Sequence, residues 1–250
     1  ALRLAQINGW KEKIVLSDGR FLELQKVVDG KPIYYTTFNL DAARSTRTDH
    51  IKAGGSLGLN LLGQNMTAYV WDGGSANVNH QEYDGSGGNN RFSRADNSSL
   101  NFHAEHVTGT IIASGFVPEA EGMAPQASAV GYDWNSDDSE AIFEAANGMI
   151  ISNHSYGLAA RNQFGQVQIP QYYFGGYIDI SRDWDQIMFN APSYLMVVAA
   201  GNDGEDDTMN QNPTGGSGWD KLTGHSTSKN NLVVANAEDA TIDADGNLIS

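Results

Sequence analysis

The sequence predicts an α/β fold with a mostly parallel central sheet covered by helices on both faces, preceded by a small β-meander. Strand-like runs alternate with helix-like segments from about residue 60 onward, an order that builds parallel sheets. The runs at 66–71, 149–151, 194–200 and 231–235 are nearly continuous in apolar residues, as strands buried on both faces are. Residues 13–38 behave differently. They alternate in polarity and carry Asp-Gly pairs at 18–19 and 29–30, which predicts three antiparallel strands joined by tight turns.

The elements follow in order. Residues 1–45 form an N-terminal extension and 46–250 the main domain, with a glycine-rich join at 54–58. Residues 41–51 read as a polar helix. A strand at 66–72 ends in Asp72 and a glycine turn. The segment 73–99 is rich in Gly and Asn without periodicity, so it reads as surface loop. Asn101 then caps a helix in which Ala104, Val107, Ile111 and Ile112 have helical spacing. Gly109 inside that helix costs about 1 kcal/mol relative to Ala, so close packing against it is expected. Strands at 127–132, 149–153, 194–200 and 231–235 alternate with helices at 140–147 and 178–190, and 158–175 and 203–224 are loops. Ligands of such sheets sit beyond the carboxyl ends of the strands. Asp72 and Asn202 stand just past two of those ends, and His103 opens the helix after the Asp72 loop.

Composition narrows the function. The chain has 250 residues, enough for one sizeable core. Its 15 Lys and Arg against 30 Asp and Glu give a net charge of −15, which argues against nucleic acid as a partner. There is no cysteine, hence no disulfide, thiol nucleophile or thiolate metal site. No apolar run approaches the roughly 20 residues needed to span a bilayer.

Taken singly, the polar residues are ambiguous. His103 suits a structural role as well as a base, Asp72 suits turn capping, and Asn202 suits a left-handed turn. Together, in this order, the motifs resemble the subtilisin-like serine proteases. HAEHVTGT (103–110) is similar to that family's HGTHVAGT, GMAPQA (122–127) to GVAPxA, and VVAAGNDG (197–204) to the strand bearing the oxyanion donor. Ala104 and Glu105 depart from the family's Gly-Thr pair. The resemblance spans residues 46–250 and implies a three-layer subtilisin-like domain. It implies that Asp72 orients His103, that His103 acts as general base, and that Asn202 donates to the oxyanion. It also implies that Ser155, Tyr156 and Gly157 pair with extended substrate, with Ala199, Ala200 and Gly201 forming the opposite wall. The expected substrate is a peptide or protein, and the expected location is outside a bacterial cell, with the signal peptide already removed.

The family's nucleophile motif, Gly-Thr-Ser-Met-Ala, is absent from residues 1–250. The resemblance therefore implies either a companion C-terminal polypeptide carrying the serine, or an inactive relative that binds peptides. A noncatalytic adhesin presenting loops 73–99 and 158–175 is a third reading. Gly224-His225-Ser226 precedes the last strand, which is the wrong place for the nucleophile. The meander is an added sheet or the remnant of an inhibitory pro-segment. No cofactor is expected for the chemistry. His103 and His106 form HxxH, but with Glu105 between them the spacing fits neither common zinc motif. The acidic segments 133–140 and 203–207 suit structural calcium, which the family often binds, or plain solvated charge.

Overall fold

The computed structural model describes residues 2–11, 13–15, 21–28, 31–36, 39–84, 90–160, 164, 166–167, 169–202, 204, 221–237, 240–243 and 247–249. A short helix, α1 (Leu2–Asn8), precedes the predicted meander. Strands β1 (Lys13–Val15), β2 (Phe21–Val28) and β3 (Lys31–Thr36) pair antiparallel in that order. Ile14 faces Leu22 and Glu23 faces Tyr35, and the β2–β3 register slips between Leu24 and Lys26. The two Asp-Gly turns lie outside the described residues. The polar helix expected at 41–51 is two helices, α2 (Asn39–Ser45) and α3 (Thr48–Ile51). Arg47 separates them at φ 64, a left-handed conformation that interrupts α-helix.

Six strands form the main sheet: β4 (Thr67–Asp72), β5 (Phe92–Arg94), β6 (Ser128–Asp133), β7 (Ile151–His154), β8 (Leu195–Ala199) and β9 (Leu232–Val234). Their order is β5-β6-β4-β7-β8-β9, and every pairing is parallel. From β4 the chain goes to the edge strand β5, returns to β6 between them, then crosses to β7 on the other side of β4. That reversal opens a crevice at the carboxyl ends of β4 and β7, where parallel sheets place their ligands.

The period of two along each strand sends alternate side chains to opposite layers. Ala68 and Ala129 join a cluster with Tyr83, Phe92 and Ile112, under helices α4 (Gln81–Asp84) and α5 (Phe102–Ile112). Tyr69, Trp71, Val130 and Tyr132 join the other cluster, with Ala141, Trp184, Ile187 and Met188 of α6 (Asp137–Ala146) and α7 (Asp179–Asn190). The result is the three-layer α/β architecture that the sequence predicted.

Segment 73–99 differs from expectation. It is not loop throughout, because it supplies α4 and the edge strand β5. Tyr83 and Phe92 are both buried, and the Arg91 guanidinium donates to the carbonyls of Ile112 and Ala127 at 2.7 Å each and of Glu82 at 2.8 Å. Two aromatics in a polar background give no periodic signal, which is why the sequence pattern concealed them. The close packing expected at Gly109 is not found among the described residues. A Cβ there would meet only Tyr83 Oη, at 3.9 Å, whereas one at Gly131 would lie 2.7 Å from the Phe92 ring.

Opposite outcomes are expected at these two glycines in chemical denaturation. Gly131→Ala overpacks the sheet and lowers stability by about 1–3 kcal/mol. Gly109→Ala raises it by up to about 1 kcal/mol, through helix propensity with no steric cost.

Candidate active site

The site begins where β4 ends. Trp71 is fully buried, stacked on Tyr132 at 4.7 Å and on His154 at 5.2 Å. Its indole N–H donates to Glu140 at 2.9 Å. These contacts fix the strand end, so its last residue, Asp72, is held in one orientation with its side chain 3% exposed. The turn that follows admits no side chains. A Cβ at Gly73 would lie 2.9 Å from the Trp134 ring, and one at Gly74 (φ +146) would lie 2.7 Å from the Ser99 carbonyl.

Asn101 connects this turn to the helix. Its Oδ1 accepts from the backbone N–H of His103 at 2.7 Å and of Ala104 at 3.2 Å, the N-cap read from the sequence. Its Nδ2 donates to the Gly73 carbonyl at 2.9 Å, a second function that spacing alone does not reveal. Backbone bonds from Ser75 to Ser99 and from Asn101 to Ser75 complete the tie, each 2.9 Å. The consequence is a fixed pair. His103 Nδ1 lies 2.9 and 2.8 Å from the two carboxylate oxygens of Asp72, and Asp72 Oδ1 also accepts from Gly73 N–H at 2.7 Å. An ionised carboxylate only accepts, so Nδ1 carries the proton and a neutral ring keeps its Nε2 lone pair as an acceptor.

A cleft of about 360 Å³ adjoins the pair. His103, Ser155, Tyr156 and Gly157 line it, as do Ala199, Ala200, Gly201 and Asn202. The fold thus gathers the residues singled out for the base, the oxyanion donor and both substrate walls at one cleft, with Asp72 behind His103. Gly201 adopts φ +98 at the turn before Asn202, and a Cβ at Gly157 would meet no atom of the described residues within 4 Å. Lys221, Thr223 and Ser226 also line the cleft. Lys221 and Thr223 fall in the segment read as polar loop and carry no signal in the sequence, whereas Ser226 belongs to the Gly-His-Ser run set aside as a nucleophile. Ser226 Oγ is committed to Thr223, accepting from its N–H at 3.0 Å and donating to its carbonyl at 2.7 Å.

Beneath the 155–157 wall lies a polar relay, buried at Ser152, His154 and Tyr194, whose direction the chemistry determines. Tyr156 Oη donates its proton to the Asp137 carboxylate at 2.5 Å. It must therefore accept from His154 Nδ1–H, at 2.9 Å. His154 Nε2 is then bare and accepts from Ser152 Oγ at 2.8 Å, which in turn accepts from Tyr194 Oη at 2.7 Å. Burial, followed by the nearby His225, holds His154 well below the ordinary imidazole range. Burial lowers His225 as well, and its Nε2–H donates to the Tyr156 carbonyl at 2.9 Å. Burial and Asp137 push the Tyr156 phenol up. His154 is thus engaged beneath the wall and does not line the cleft.

The candidate metal sites look different in three dimensions. Glu105, between the two histidines of HxxH, accepts from Asn77 N–H at 2.6 Å and from the Tyr83 hydroxyl at 2.7 Å. Among the described residues, no three His, Asp or Glu side chains gather as a metal-holding group. In 133–140, Asp133 accepts from Asn135 N–H at 2.7 Å, and Asp137 holds Tyr156. Most of 203–207 lies outside the described residues. No described helix is long and apolar enough to cross a membrane.

Two outcomes follow. Asn101→Ala removes the cap and lowers stability by about 1 kcal/mol. It also loosens the Asp72–His103 pair, read as faster solvent exchange of the His103 Nδ1–H by NMR that a capping Ser does not fully restore. Separately, the unfolded state protonates His154 near pH 6.5 while the native state resists it, so stability present above that pH is lost as pH falls. Each pKa unit of depression corresponds to about 1.4 kcal/mol. Denaturation midpoints should decline as pH is lowered through about 6.5, with a shallower slope in His154→Gln.

Comparisons with known proteins complete the picture. The subtilase family profile (peptidase S8) matches residues 40–248. No curated protein sequence matches the chain. Among solved structures, the Clostridium perfringens CspB protease is similar with a TM-score of 0.46 and 17% identity, over 65% of this chain and 41% of that one. MycP1 from Mycobacterium smegmatis gives 0.45 and 16%, over 81% and 57%. Fervidolysin from Fervidobacterium pennivorans, a keratinolytic enzyme related to subtilisin, gives 0.40 and 18%, over 67% and 26%. The chain spans less than two thirds of the length of each of these three proteins. With the family profile covering most of its length, the chain belongs to the subtilase family.

Proposed function

We propose that this chain contributes the acid, the base and the oxyanion donor of a secreted or cell-surface serine endopeptidase. Its nucleophile would be a serine on polypeptide outside residues 1–250. The observation that carries this reading is the 2.8 Å contact between the buried Asp72 carboxylate and His103 Nδ1, at a cleft that Asn202 also lines.

In this reading the serine hydroxyl approaches His103 Nε2, which accepts its proton as Oγ bonds to the scissile carbonyl carbon. The carbonyl π electrons move to oxygen, and the Asn202 side-chain amide donates to the resulting oxyanion. Asp72 holds the Nδ1–H tautomer and stabilises the imidazolium. His103 then passes the proton to the leaving amine as the C–N bond breaks. A water molecule, deprotonated by the same Nε2, releases the acyl group and regenerates the serine. Substrate backbone would pair along 155–157, where Gly157 leaves room for close approach.

Fluorophosphonate labelling of the native protein, with mass spectrometry of every labelled polypeptide, tests this reading. The expected label falls on a serine outside residues 1–250 and is lost in His103→Ala. Asp72→Asn should lower kcat by about ten-thousandfold. Asn202→Ala should lower it by about a hundred- to a thousandfold, the effect of removing the corresponding donor from a subtilisin. Peptide binding with no label on any chain would favour an inactive, peptide-binding relative instead.

A further inference from the structure

The cleft beside His103 carries a charge that the catalytic reading does not use. Lys221 lines it together with Thr223, and no described Asp or Glu does. This is unexpected in a chain with twice as many acids as bases. The adjoining cleft shares Tyr156, Gly157 and Leu158 but has Asp137, Asp138 and Asp183 in its lining. The 155–158 segment therefore touches a lysine-lined cleft and an acid-lined one, and the base and oxyanion donor belong to the first.

We propose that Lys221 makes this cleft selective for an acidic side chain, glutamate or aspartate, on the residue whose carbonyl is attacked. The inference rests on the protease reading above. A carbonyl positioned for both His103 and Asn202 must enter the cleft that they share with Lys221, and the side chain on the adjacent Cα enters with it. Lys221 is half-buried, where a charge pair is screened less than in open water. The lysine already engages a neighbour, but an ammonium has three N–H donors, so a substrate carboxylate can join that contact. The net charge of −15 opposes acidic peptides from a distance. Screening confines that repulsion to about 8 Å at physiological ionic strength, so the contacting ammonium prevails inside the cleft.

The test compares kcat/KM of the native, serine-bearing protein on peptides that differ only in Glu, Gln or Lys before the scissile bond, with cleavage positions read by mass spectrometry. Glu is expected to exceed its near-isostere Gln by at least about tenfold, with a ratio that shrinks as salt rises. In Lys221→Met the Glu-to-Gln ratio should approach one, in Lys221→Arg it should persist, and in Lys221→Glu the Lys peptide should overtake the Glu peptide. Cleavage with no Glu preference in the wild type, or a preference that survives Lys221→Met and Lys221→Glu, overturns this inference and leaves the protease reading standing. No cleavage of any peptide overturns both.

Discussion

A buried carboxylate imposes the central constraint on this molecule. Removing Asp72 from water is costly unless its oxygens find donors. His103 Nδ1–H and Gly73 N–H are those donors. The surrounding features serve that arrangement: Trp71 clamps the strand end, the two glycines let the turn pass against Trp134 and Ser99, and Asn101 joins the turn to the helix. The geometry is prepaid by the fold. An oriented imidazole with one nitrogen engaged and the other at the cleft is what proton transfer from a weak nucleophile requires.

The wall opposite the Ala199–Gly201 strand end is held by different physics. Its relay runs from the buried Tyr194, Ser152 and His154 to the partly buried Tyr156 and Asp137, and each bond dictates the direction of the next. Such networks are rigid when every member is satisfied and costly when one is not. A proton on His154 would reverse one bond and break the chain. Acid tolerance therefore depends on this supporting layer, away from the Asp72–His103 pair.

Much of this was legible in the sequence because strong signals were local. The continuous apolar strands, the Asn101 cap and the three motifs each lie within a few residues, and the parallel topology brings their ends together. The remainder depends on contacts between distant segments. Tyr83 and Phe92 become core only through β6 and α5, so 73–99 read as loop. Arg47 splits a helix through its backbone conformation, which composition does not disclose. Lys221 reaches the cleft only because the chain returns there after a long polar segment, and the second bond of Asn101 is visible only when Gly73 lies beside it.

The most direct test of the proposed site is alkylation of the native protein by a peptidyl chloromethyl ketone, with the modified residue identified by mass spectrometry. A substrate-like ketone held by the cleft presents its reactive carbon to the nitrogen proposed as the base. The account predicts one adduct, on His103, diminished in Asp72→Asn and blocked by competing peptide. An adduct on His106 or His225, or none while the peptide is still bound, would contradict it.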